Sequence, residues 1–197
     1  MPISNLDLAL SVALGIALAA TTGFRLFLPL LIASAAAYTG HLPLDENFAW
    51  LGTPTALTML GVAALIEVAA YYVPGVDNLL DAVAVPAAFI AGTVLSAAVI
   101  TDLPPVVKWT AAVVAGGGAA SLTKGVTAMV RAKSTLFTGG VGNHVVATAE
   151  LGSAILVPLL ALAAPFVAFA LVILLLWVAF RMLQRLRRGP DRAPAPD

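Results

Sequence analysis

Apolar residues run along this chain in long, nearly unbroken blocks, and short polar or Pro/Gly-bearing stretches separate them. The blocks do not alternate with period two, so they do not read as barrel strands. Continuous apolar runs of about 20 residues read as membrane-spanning helices. Six spans follow, at about 8–38, 55–73, 79–100, 106–130, 144–162 and 166–180. The first is long for a hydrocarbon core of about 30 Å, which predicts a tilt or two half-helices meeting at Thr21–Gly23. The stretch 39–48 reads as a loop, with Trp50 either an interfacial anchor or a packed loop residue. PGVDN, after Tyr71 and Tyr72, reads as a turn with Asp77 as N-cap of the third span. The loop 101–108 separates two halves, and 131–143 reads as a polar, Gly-rich connection. Pro158 and Pro165 mark a kink or a tight turn. The expected fold class is all-α: a polytopic transmembrane helical bundle of about six spans. It forms one domain over 1–183, and 184–197 is a basic, Pro-rich tail.

Composition narrows this further. The chain is 61% hydrophobic and only 10% charged, against about 25% charged in soluble domains. Its net charge is zero, so no field favours nucleic acid, and none is expected as a partner. The absence of cysteine excludes disulfides, iron–sulfur clusters and thiol catalysis. His41 and His144 do not make a metal site without carboxylate help, and no metal or cofactor is expected. MPISNLDLALSV lacks the basic region of a signal peptide, so its apolar run reads as a retained first span. With six spans, Arg131, Lys133, Arg181, Arg185, Arg187, Arg188 and Arg192 fall on one side. Lys108 falls on the other with Asp45, Glu46 and Asp102. By the positive-inside rule both termini are expected in the cytoplasm, where the tail arginines meet anionic lipid.

Four charges interrupt the apolar pattern. Arg25 stands inside the first span, beside Thr21, Thr22 and Gly23 and four residues before Pro29. A guanidinium at that depth costs about 2.5–3.5 kcal/mol on insertion scales. Glu67, Lys124 and Glu150 complete the set. Intramembrane ionisable groups mark substrate paths, proton relays or anion sites; the plainer alternative is an ion pair that locks two spans together. Arg25 is expected to meet a Glu from another span, foremost Glu67. Thr21, Thr22, Ser121 and Thr127 lie near the cations and either line a polar cavity or bond their own backbone, the commoner case. Gly116–Gly118 and Gly139–Gly142 permit close helix packing or cradle an anion, packing being the commoner use. Asp77 and Asp81 read as capping or solvated charges before they read as a cation site.

The halves, about 7–101 and 105–183, resemble each other weakly. Each has small residues before a cation (ATTGFR at 20–25, GAASLTK at 118–124), then a Glu leading to Val-Pro (EVAAYYVP at 67–74, ELGSAILVP at 150–158). Three spans per copy would invert the second copy, as in the 3+3 repeats with broken helices of many transporters.

GFRLFLPLL, VPGVDNLLD after Glu67, GGGAASLTKG and GNHVVATAE resemble the bacterial domain-of-unknown-function 4126 family of membrane proteins, over roughly residues 10–165. The resemblance implies a multi-pass protein of the bacterial inner membrane with no established biochemical activity. This chain departs from the family pattern in carrying Tyr71, Tyr72 and Leu151 where charged residues stand. The functional expectation is a small transporter or permease. Its midplane site is built from Arg25, Glu67, Lys124 and Glu150 with Thr21, Thr22 and Ser121, for a small polar or anionic solute with proton coupling. The alternative is a membrane scaffold or accessory subunit whose charges are structural. No enzyme is expected: a His-rich metal motif, a usable Ser–His pair and a dense carboxylate cluster are all missing. Membrane lipid and a small polar or anionic solute are the expected partners, with homo-oligomerisation left open.

Overall fold

In hydrocarbon the backbone must satisfy its own polar groups, so apolar runs of this length fold as helices. The computed structural model describes residues 5–73, 75–101 and 103–187, and within them every regular element is helical. In order these are α1 (Asn5–Thr21), α2 (Phe27–Tyr38), a 3-10 segment (Glu46–Gly52), α3 (Pro54–Ala70), α4 (Val76–Val99), α5 (Pro105–Ala111), a π segment (Ala112–Gly117), α6 (Gly118–Thr138), α7 (Asn143–Ala163) and α8 (Pro165–Arg187). Among the described residues, Leu79–Val99, Pro105–Thr138 and Asn143–Ala163 are long and apolar enough to cross a membrane. The 3-10 segment and α3, bent by 65°, make a fourth if taken together. Arg188, Arg192 and the rest of 188–197 lie outside the described residues.

The first apolar run breaks where Thr and Gly loosen it, but the halves do not continue end to end. α1 stops at Thr21. The Thr21 and Thr22 hydroxyls donate back to Leu18 O (2.5 Å) and Ala19 O (2.7 Å), and α2 begins at Phe27. Leu42 and Pro43, just past α2, line the same cavity as Asp7 and Leu10 at the start of α1. α1 and α2 are therefore the two arms of a hairpin whose tip is 22–26. This corrects the reading of 8–38 as one span. Ala17 and Leu18 of α1, Leu30 and Ala33 of α2, Leu95 of α4, Ala161 of α7 and Ala168 of α8 form the main apolar core.

One end of the bundle gathers the loop after α2, the end of α4 and the start of α5. There Asp45 N–H donates to Ala98 O (2.9 Å) and Lys108 Nζ donates to Asp45 (2.6 Å). The opposite end gathers the start of α4, the end of α6 and the start of α7, where Asn143 Nδ2 donates to Asp77 (3.0 Å) and Thr135 (2.9 Å). α2, α3 and α4 run between these ends in directions opposite to α6, α7 and α8, taken in turn. α1 stands outside that correspondence.

The Pro105–Thr138 helix is continuous for 34 residues, about 50 Å. The expected connection at 131–143 shrinks to a turn at Gly139–Gly142, where Gly139 and Gly140 take φ of 60° and 93°. Arg131 thus lies within α6, fully buried, and is not a loop charge. Along α6 and the π segment, glycines mark close approach. A Cβ on Gly116 would stand 2.5 Å from Ser96 Cβ, one on Gly117 2.4 Å from Thr93 Oγ1, and one on Gly92 of α4 2.5 Å from Ala120 Cβ. Gly116 and Gly117 are packing residues; Gly118 meets nothing within 4 Å.

Candidate functional site

α3 ends at the tip of the hairpin, and this junction builds the site. Glu67, one turn before the end of α3, receives the Leu26 and Phe27 N–H groups at 2.6 and 3.0 Å. Those are orphan donors at the start of α2, and a carboxylate there also answers the positive end of the helix dipole. Glu67 is therefore an N-terminal cap supplied by another helix, not the salt-bridge partner of Arg25. Arg25 donates through Nη2 to Ala147 O (3.0 Å) and stands 3.8 Å from Glu150 Oε2. The expected Arg25–Glu67 pairing is corrected by the cap: both Glu67 oxygens are already engaged by the α2 backbone.

Lys124 meets neither Glu67 nor Glu150 in a salt bridge. Its ammonium donates to the Tyr71 hydroxyl at 2.9 Å and pairs with Asp81 at 2.7 Å. Glu150 is held by Arg131, whose Nε also stands 2.9 Å from Asp81 Oδ2. Tyr71 sits among the three cations. The Arg25 guanidinium lies 3.9 Å from its ring centroid, and Lys124 and Arg131 each lie 4.9 Å away, all within cation–π reach. The site thus comprises three cations, three carboxylates and one aromatic ring, balanced in charge. Arg25, Lys124, Arg131 and Glu150 are all at most 3% exposed. Arg25 Nε and Nη1 and Glu150 Oε1 are buried without hydrogen-bond partners.

The remaining expected residues contribute less. Thr21 and Thr22 are buried and bonded to their own helix. Thr127 bonds to Lys124 O (3.1 Å), and Ser121 is half-buried on the neighbouring face. The buried hydroxyl of that turn is Thr123 instead, 1% exposed and unpartnered. Asp77 is not the N-cap of α4, since Gly75 occupies that position. Asp77 accepts from Gly75 N–H (3.0 Å) and from Asn143.

Asp81, expected as a capping or solvated charge, Arg131, expected in a connection, and Tyr71, expected at the end of a span, join the site instead. A signal for two of them exists. Asp81 leads the stripe Asp81, Ala88, Gly92, Leu95, Val99 along the buried face of α4, and Arg131 stands seven residues after Lys124, on the same face of α6. Asp81 and Glu150 lie within about two turns of the starts of their helices and Arg131 within about two turns of the end of its own, roughly 10 Å. The site is therefore set toward one end of the bundle, not at its middle.

Two cavities meet at Tyr71. One, about 320 Å³, lies between α3 and α4 and is apolar except for Glu67, Tyr71, Lys124 and Thr22. The other, about 240 Å³, lies at the end of the bundle and is lined by Tyr71, Tyr72, Asp77, Asn143 and His144 among others.

No curated protein and no solved structure matches the chain. The sequence matches "Domain of unknown function (DUF4126)" over residues 12–185. With nearly the whole chain covered, including every charge of the site, the protein belongs to the DUF4126 family.

Proposed function

We propose that the protein is a small multi-pass transporter or permease of the bacterial inner membrane, whose path runs past Tyr71 and whose solute is small and polar or anionic. One observation carries this reading: Arg25 is fully buried and stacked on Tyr71, yet two of its guanidinium nitrogens have no hydrogen-bond partner. A cation held in that state is an open recognition position. The polar cavity at the bundle end reaches Tyr71, on whose ring Arg25 stacks, and Glu150, on a separate cavity and with one oxygen lacking a hydrogen-bond partner, is the group to carry a coupled proton. Opposed running directions of α2–α4 and α6–α8 support an inverted repeat. They also support five full crossings plus a re-entrant α1–α2 hairpin, in place of six crossings with both termini in the cytoplasm. A second reading, the scaffold, draws on the balanced charges: Lys124 and Arg131 are each paired with carboxylates.

Uptake into proteoliposomes tests the choice. Purified protein should accumulate at least one labelled small anion or zwitterion from a broad panel. Arg25→Lys, which keeps the charge but loses the planar fork, should abolish uptake while the protein stays folded. A stable protein that moves nothing in the panel supports the scaffold.

A further inference from the structure

The 320 Å³ cavity between α3 and α4 has a chemistry the transport reading does not use. Its mouth opens on the outer flank of the bundle, where Ile66 and Val83 are 64% and 59% exposed. Its walls are apolar, with Phe24 and Phe27 at the hairpin, Ala63 on α3 and Ala84 and Ala87 on α4. Its floor is polar: Glu67, Tyr71 and Lys124. α3 lies along α2, α4 lies along α1 and α6, and the cleft separates them. An aqueous solute has no partners on such walls, and the volume falls within the range of small-molecule sites, about 300–1,000 Å³.

The floor specifies the end of the ligand. Glu67 accepts one backbone N–H on each oxygen, so further lone pairs remain for a donor. Lys124 has two partners, Tyr71 and Asp81, for three N–H groups, so one donor remains. A group that both gives and receives a hydrogen bond satisfies both. Both Glu67 and Lys124 border this floor, so a charged head of either sign meets a like charge there. We propose that this cleft seats a single-chain, uncharged lipid with a hydroxyl head. The chain lies between α3 and α4, and the hydroxyl donates to Glu67 and accepts from Lys124. The site holds this lipid whether or not any solute crosses the protein.

Photolabelling of the purified protein in nanodiscs tests the proposal. A monoacylglycerol carrying a diazirine near its glycerol is the probe. Labelling should map to α3 and α4 around Ala63, Ala84 and Ala87. Excess unlabelled monooleoylglycerol should compete at least tenfold better than oleate or oleylamine. Ala63→Phe and Ala87→Phe fill the cleft from opposite walls and should each cut labelling at least tenfold. Leu159→Phe, on the exposed face of α7, should leave it unchanged. Even if both filling variants misfold, the competition order and the mapped positions decide the matter in the unaltered protein. Labelling spread evenly over the lipid-facing residues overturns the proposal. Better competition by oleate or oleylamine overturns the uncharged head.

Discussion

Removing the Arg131 guanidinium leaves Asp81 and Glu150 without the cation that joins them. Removing Arg25 gives up a longer contact to Glu150, a bond to a carbonyl and the stack on Tyr71, and leaves no carboxylate without its closest cation. Breaking a buried pair from one side costs about 3–5 kcal/mol, because a bare charge is left in low dielectric. Arg131→Ala is therefore expected to lower the thermal stability of the detergent-solubilised protein more than Arg25→Ala. Combining Arg131→Ala with Glu150→Ala should restore part of the loss. A larger coupling between Arg25 and Glu67 than between Arg131 and Glu150 would contradict the arrangement described. In the loop after α2, the Asp45 carboxyl is held below the usual carboxylate range by the Lys108 ammonium, 2.6 Å away near the start of α5. The stabilisation from this pair is fully present above the ordinary carboxylate value, about 4, and is lost as pH falls through the depressed folded value. Lys108→Met should flatten that acid limb of a pH–stability curve; an unchanged limb means that the pair contributes nothing there.

At the scale of elements, the hairpin rests on one residue with no side chain and one borrowed carboxylate. A Cβ on Gly23 would stand 2.4 Å from Ala120 O and 2.5 Å from Thr123 Cβ. The tip must retreat from α6 to admit it, so Gly23→Ala should cost about 1–3 kcal/mol as overpacking does. Gly118→Ala, in a helix with open space around it, should be neutral or gain about 0.5–1 kcal/mol. If thermal melts rank these two the other way, the tip does not pack as described. Glu67→Gln keeps the shape but turns an amide N–H₂ toward an α2 donor. It should destabilise by about 1.5–3 kcal/mol, the worth of a charged hydrogen bond.

At the scale of the molecule, the hairpin sends the start of α1 and the far end of α8 to opposite ends of the bundle. The chain has no cysteine, so single cysteines at Asn5 and Gln184 report cleanly. If the five proposed crossings hold, an impermeant maleimide on oriented vesicles should reach one and not the other; equal access from one side would count against them. The helical class was legible in the apolar blocks, and the break at Thr21–Gly23 in its residues. The turn back was not, because it depends on Glu67 reaching the α2 backbone from another helix, and no local spacing encodes that contact. Arg25, Lys124, Glu67 and Glu150 were visible as charges set in apolar surroundings. Their partners were not, since a cation meets whichever carboxylate the packing delivers. Asp81 and Arg131 were hidden by standing near polar turns, where a charge ordinarily faces water.

The hairpin also sets an order on biogenesis. Arg25 leaves the ribosome long before Ala147 and Glu150, the groups that meet it in the finished fold. Glu67 arrives in time to cap α2, but it brings no cation partner of its own. While the later helices are still being made, a lone guanidinium has reason to stay at the lipid–water boundary and draw the tip of the hairpin with it. The tip would then reach its packed position only when α7 is in place. Chains cut short before Glu150 would carry an exposed arginine in an apolar setting, a feature by which quality control can tell an unfinished copy from a complete one.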